Sequence, residues 1–152
     1  MLTIRIGGND LLQCLGLRRT SRKSVYEGPL GPLIASIAGQ FLPYGFALSG
    51  PVMERYDDPQ LLRAEFAQDL DHGLTSKSAI HPAQLAVVHG ALAVSGADLS
   101  EARAILTPAA PAVFAFSGRM AEPATHRSWA QSILRRAELY GVADPLPAAL
   151  HA

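Results

Sequence analysis

The sequence holds one cysteine, Cys14, in 152 residues. An internal disulfide and a multi-thiolate zinc site are therefore excluded. Net charge is also missing, with 13 Lys and Arg against 13 Asp and Glu. Such a chain has no general attraction to nucleic acid or to an anionic membrane surface. No apolar run approaches the ~20 residues that a membrane-spanning helix needs. The N-terminus alternates like a strand and lacks the apolar stretch of a secretory signal. Charged residues make up only 17% and apolar residues 49%, which suits a packed core and not a disordered chain. These absences predict one soluble, cytoplasmic domain with neither nucleic acid nor membrane as a partner.

What is present reads as strands alternating with helices. Leu2 to Ile6 has period two, with Leu2, Ile4 and Ile6 apolar. Gly7-Gly8-Asn9-Asp10 ends it, and a short helical turn follows to Gly16. Leu17 to Gly28 is polar and basic and reads as a loop. Leu30, Leu33, Ile34, Ile37 and Phe41 have helical spacing between Pro29 and Pro43. Phe46 to Ser49 is a short apolar run between glycines, as in a buried strand. Asp58 and Pro59 make a strong helix start, Leu62, Phe66 and Leu70 continue it, and Gly73 stops it.

Lys77 to Ile80 predicts the next strand, and His81-Pro82 opens a helix carrying Leu85, Val88 and Leu92. Asp98 and Glu101 are spaced as a capping box. Ala112 to Phe116 is a brief β-like run. Pro123 to Tyr140 is amphipathic, with Trp129, Ile133, Ala137 and Tyr140 in one stripe. This alternation predicts a parallel α/β sheet. Three strands and a brief fourth are too few for a (β/α)8 barrel of eight strands. The expected layout is partial barrel units over residues 1–117, a helical arm over 118–142 and a flexible tail over 143–152.

Asp10 stands just past the end of a strand, where parallel α/β folds bind ligands. Its hard carboxylate suits Mg2+, and Gly7 and Gly8 let backbone amides approach an anionic ligand. The plainer reading is an Asp that caps the following turn. Glu54 also follows a strand and reads as a replacement ligand or a solvated carboxylate. Arg18, Arg19, Arg22 and Lys23 form a basic loop, suited to phosphate or to solvent. Cys14 reads as core. His72, His89, His126 and His151 lack metal-ligand spacing, and Trp129 and Tyr140 read as core or interface.

Three segments carry a family resemblance. Residues 5–16, Arg-Ile-Gly-Gly-Asn-Asp-Leu-Leu-Gln-Cys-Leu-Gly, resemble the Gly-x-x-Asp-Leu…Gly segment of the HpcH/HpaI aldolase and citrate lyase β-subunit superfamily. Ser76-Lys-Ser-Ala-Ile-His-Pro-Ala-Gln84 resembles its Gly-Lys-x-x-Ile-His-Pro-x-Gln segment. Ser117-Gly-Arg-Met-Ala-Glu-Pro123 resembles its C-terminal Gly-x-Met segment. Pro29-Leu-Gly-Pro, residues 45–52 and residues 122–129 resemble, more closely, the TIM-barrel carbon–carbon bond lyases of tellurium-resistance-associated gene clusters.

The resemblance implies the C-terminal part of a TIM barrel and a Mg2+-dependent lyase or aldolase. Its substrate would be an oxo acid or an acyl-CoA thioester, cleaved through a metal-stabilised enolate. Asp10 would be one of two carboxylates on Mg2+. Gly7, Gly8, Lys77 and His81 would line the substrate, although Lys77 also reads as solvated and His81 as a group orienting its turn. Glu122 would act on protons in a neighbouring subunit's site, or simply favour the start of the helix after it. The family's second metal ligand and its substrate-clamping Arg would precede Met1. A homo-oligomer or an N-terminal-half partner is therefore implied. The alternative is a non-catalytic barrel fragment that completes a partner.

Overall fold

A computed structural model describes residues 2–20 and 22–143. The chain forms two compact units, residues 1–91 and residues from 92 onward. The arm boundary expected at 117/118 thus falls inside the second unit. The expected tail beyond Ala143 lies outside the described residues.

The first unit is built on a three-stranded parallel sheet of β1 (Thr3–Arg5), β2 (Ala47–Gly50) and β3 (Ser76–Lys77), in that order. Thr3 pairs with Ala47, Arg5 with Ser49, Ser49 with Ser76 and Gly50 with Lys77. Helices α1 (Gly8–Cys14) and α2 (Leu30–Phe41) lie between β1 and β2, and α3 (Pro59–Asp71) lies between β2 and β3. Helix α4 (Pro82–Leu92) follows β3. Ile6 and Leu48 join Leu12, Leu30, Ile34, Ala38 and Leu74 in one buried cluster, so one sheet face carries the helices. The parallel pairing bears out the expected β/α units.

Local rules hold well in this unit. Asp58 accepts from the Leu61 amide at the start of α3, with Pro59 in the first turn. Gly73 ends that region at φ +80°. The segment read as an open loop, 17–28, contains a tight helical turn at Val25–Glu27. A reciprocal Ser24–Glu27 capping box holds it. Gly50 is sterically required, since a Cβ there would lie 2.6 Å from the carboxylate of Asp69. Gly50→Ala is expected to lower stability by about 1–3 kcal/mol, the usual cost of overpacking, as measured by urea unfolding.

In the second unit α5 (Gly96–Leu106) packs on α6 (Pro123–Tyr140) through Leu99, Ala102, Ile105, Ala130 and Ile133. Ser95, not Asp98, caps α5, accepting from the Asp98 amide at 2.9 Å. The cap therefore lies three residues before the expected box. The run at Ala112–Phe116 does not extend the parallel sheet. It forms β5 (Phe114–Phe116), antiparallel to β6 (Arg119–Ala121). Ser117 and Gly118 both take positive φ, the conformation that a two-residue hairpin turn demands. Two short strands, β4 (Val94–Ser95) and β7 (Val142–Ala143), pair in parallel.

Within the second unit α6, expected as part of a helical arm, packs against α5. The buried positions on α6 are Ala130 and Ile133, while Trp129 and Tyr140 are exposed. The expected stripe is thus rotated, because α5 meets the small side chain and not the ring. No helix among the described residues is long and apolar enough to cross a membrane.

Candidate functional site

The loops leaving the C-terminal ends of β1, β2 and β3 share one sheet edge. The first carries Gly7 to Asp10, the second Met53, Glu54 and Tyr56, and the third His81. Side chains tie them together. Asn9 Nδ2 donates to Glu54 Oε1 at 2.9 Å. Gln84 Nε2 donates to the Met53 carbonyl at 2.9 Å, and Gln84 Oε1 accepts from the Ile80 amide. Tyr56 stacks on His81 with ring centroids 4.6 Å apart.

Asp10 lies in the first turn of α1 and is exposed. No hydrogen bond or ion pair links its side chain to another described residue. A Cβ at Gly7 would collide with Asp10 Oδ2, so this glycine makes room for the carboxylate to fold back over the end of β1. Gly8 is buried against Pro51, where a Cβ would lie 2.8 Å from that ring. Its role in the fold is close packing of α1 on the loop after β2. His81 Nδ1 accepts from the Ala83 amide at 3.2 Å. The hydrogen then resides on Nε2, which is left as a donor.

Beneath this edge lies a buried charge cluster. Arg19 pairs with Glu65 and also donates to the Val52 carbonyl at 2.6 Å. Lys77 Nζ lies 2.7 Å from Asp69 Oδ2 and 2.9 Å from Glu65 Oε1, the latter an ion pair without hydrogen-bond geometry. Tyr26 donates to Asp69 Oδ1 at 2.7 Å, and Glu65 Oε2 accepts from the Val25 amide. Burial pushes the Asp69 carboxyl above its usual range, against the pull of Lys77 and of the Tyr26 hydroxyl. Burial and the nearby Asp69 charge likewise push the Tyr26 hydroxyl up.

The cluster corrects two expectations. Lys77 is not solvated, and its ammonium is committed to two carboxylates, so it is not placed to capture an anionic substrate. Arg19 belongs to the same cluster and not to a solvated basic loop. The carboxylates themselves were missed, yet a signal was present. Leu62, Glu65, Phe66 and Asp69 occupy the i, i+3, i+4, i+7 slots of one helix face, and all four are buried. Cys14 is exposed and not core.

In the second unit Glu122 is the residue before α6. Its amide donates to His126 Nδ1 at 3.1 Å, and its Oε2 accepts from Thr125 Oγ1 at 2.9 Å. Glu122 is thus held at the helix start without capping a backbone amide. Glu101, at the expected capping box, is buried and pairs with Arg119.

Asp10 and Glu54 offer hard oxygens on adjacent loops, the donor type that suits Mg2+. Among the described residues no group of three or more His, Cys, Asp or Glu is arranged to hold a metal. The set fits as part of a Mg2+ site, not the whole.

Comparison with known proteins agrees with this architecture. A citrate lyase subunit β-like protein of Deinococcus radiodurans is 36% identical over 84 residues, which is 51% of this chain and 30% of that protein. A (3S)-malyl-CoA thioesterase of Cereibacter sphaeroides is 30% identical over 94 residues, 62% of this chain and 32% of that protein. The CitE protein of Mycobacterium tuberculosis, solved with magnesium, acetoacetate and coenzyme A, superposes with a TM-score of 0.71 at 27% identity. That match covers 88% of this chain and 51% of CitE. A citrate lyase of Burkholderia xenovorans shares the fold with a TM-score of 0.72 at 24% identity, over 95% of this chain and 48% of that one. The chain therefore spans about half of these solved structures and about a third of the curated relatives. The family model described as a C–C bond lyase of the TIM-barrel fold matches residues 1–142. The chain belongs to this carbon–carbon bond lyase family, within the HpcH/HpaI citrate lyase β superfamily, and forms part of its barrel.

Proposed function

We propose that this chain supplies the C-terminal half of a Mg2+-dependent carbon–carbon bond lyase. Its substrate is an oxo acid or an acyl-CoA thioester, cleaved with formation of an enolate. The observation that carries the reading is Asp10. It is an exposed carboxylate that caps nothing and is folded over Gly7 at the ligand-binding edge of a parallel sheet. The CitE neighbour, solved with magnesium and coenzyme A, and the malyl-CoA thioesterase relative support the metal and the substrate class.

Asp10 contributes one hard ligand, and Glu54, steadied by Asn9, stands on the adjoining loop. Bound Mg2+ supplies positive charge to oxygens that gain electron density as the C–C bond next to a carbonyl breaks. Gly7 keeps the space above β1 clear, and Gly8 holds α1 close to Pro51. His81 donates from Nε2 to a substrate oxygen. Glu122 moves a proton at the carbon released, in the site of a second copy. Lys77 acts inside the fold, not on substrate. The remaining metal ligand comes from an N-terminal barrel half.

The test supplies that half and measures carbonyl product from oxo acids and acyl-CoA thioesters. Cleavage should vanish in EDTA and return with Mg2+. No cleavage of either class would leave the chain a structural module. Glu122→Gln should lower turnover by about 10²–10⁴, the usual worth of general acid–base help, at unchanged Mg2+ affinity. Mixing Asp10→Ala and Glu122→Gln chains should restore part of the activity. A mixture as inactive as either parent, with subunits exchanging, would return Glu122 to a helix-start role.

A further inference from the structure

We propose that Arg5, with Ser49 and Ser76, forms an anion subsite that does not depend on the metal, so that the substrate carries a second anionic group. This rests on the lyase reading above, because it places the subsite in the same barrel mouth as Asp10.

The three residues stand in register across the sheet, Arg5 opposite Ser49 and Ser49 opposite Ser76. Strands lie about 4.8 Å apart, so the row runs straight across the three strands. Ile6 and Leu48 are buried in the helix-side cluster. Side chains alternate between faces along a strand, so the row of Arg5, Ser49 and Ser76 occupies the face away from the helices. In a (β/α)8 barrel the helices are outside, and that face turns inward.

Barrel interiors are normally filled by bulky apolar side chains. Here the row is a guanidinium and two hydroxyls. No ion pair or hydrogen bond links the Arg5 guanidinium to another described residue. Arg5 is exposed in this chain, and once a completed barrel enclosed it, an unpaired guanidinium would be costly, a cost that a bound anion removes. Thr3 and Ala47, the neighbours on the same face, carry no negative charge.

Asp10 fixes where that anion sits. Because Ile6 points to the helices, Gly7 shares the inward face with Arg5. The Asp10 carboxylate occupies the space that a Gly7 side chain would fill. Arg5 closes β1 and Gly7 follows two residues on, so the backbone that carries the guanidinium and the space taken by the Asp10 carboxylate lie on the same side of the chain. A substrate that meets both groups has one anionic end at Arg5 and its reacting carbonyl nearer Asp10. A carboxylate takes the guanidinium's fork in a bidentate fashion, and so does a phosphate.

Pyruvate and oxaloacetate differ by one carboxylate and serve as probes. Their binding is measured by calorimetry with the barrel complete and Mg2+ present, and repeated in EDTA. The wild type should favour oxaloacetate about 10-fold or more. Arg5→Gln should erase that ratio, and Arg5→Lys should keep part of it. Asp10→Ala should weaken both ligands while leaving the ratio in place. 3-Phosphonopyruvate replaces the second carboxylate with a phosphonate. Tighter or weaker binding than oxaloacetate, abolished in either case by Arg5→Gln, says whether the subsite prefers phosphate or carboxylate. If Arg5→Gln leaves the ratio unchanged, or only lowers stability, Arg5 is the partner of a carboxylate from the other barrel half and the proposal falls. If Asp10→Ala has no effect while the Arg5 ratio persists, the metal reading fails and the anion subsite stands.

Discussion

Asp10→Ala is expected to cut turnover of the completed enzyme by at least about 10²-fold while leaving its melting temperature nearly unchanged. The first half follows from charge. A metal that polarises a reacting carbonyl is worth several kcal/mol, and each 1.36 kcal/mol is tenfold in rate. The second half follows from the surroundings of the residue. Asp10 is exposed and caps no backbone amide. What it gives the fold is the attraction of an acid for a helix start, about 0.3–1 kcal/mol, partly offset by alanine's better helix propensity. Mg2+ titration of the wild type and the variant provides the direct check. Equal affinity, or equal turnover, would remove Asp10 from the site.

Lys77→Met should have the largest effect on stability, about 3–5 kcal/mol, the usual cost of removing one partner of a buried ion pair. Glu65 and Asp69 are both fully buried. Arg19 pairs with Glu65 alone, so the lost ammonium leaves Asp69 with only the Tyr26 hydroxyl.

The loss should depend on pH in a set direction. Burial raises the Asp69 carboxyl already in the wild type, and without Lys77 it rises further. A carboxyl with a higher pKa in the folded state binds its proton more tightly there. Its stabilising share is complete below the unfolded value of about 3.9 and disappears as pH rises through the folded value. The deficit of Lys77→Met should therefore be smaller near pH 4.5 than near pH 7.5 in paired urea titrations. A deficit under about 1 kcal/mol, or one equal at both pH values, would show that the cluster is not the internal brace described.

The same cluster marks how far local sequence rules reach. The start of α3 at Asp58–Pro59 and its stop at Gly73 were readable because a cap, a proline and a left-handed glycine act on their immediate neighbours. Asp10, Glu54 and His81 were placed on one edge because each follows a strand, and parallel strands end on the same side. The family was readable because its motifs are short and occur in order along the chain. The roles of Glu65 and Asp69 were hidden, since a helical carboxylate usually faces water. Only the arrival of Lys77 eight residues on, and of Arg19 from 46 residues upstream, gives them partners.

The other corrections have the same origin. Strand β4 has two residues and pairs with β7 far along the chain, too short for any periodicity to show. Cys14 was assigned to the core and Trp129 to the core or an interface, yet within the fold a helix buries whichever face its neighbour meets. On α6 that face holds Ala130 and Ile133, the positions that α5 covers. The α/β class, the limits of α3 and the family could be read from the residues alone, all consequences of contacts near in the chain or of motif order. Which charges are buried as partners was settled by the packing of the folded chain. That packing also decided which face of β1 carries Arg5. Both depend on segments that pair across tens of residues, and no local pattern records those pairings.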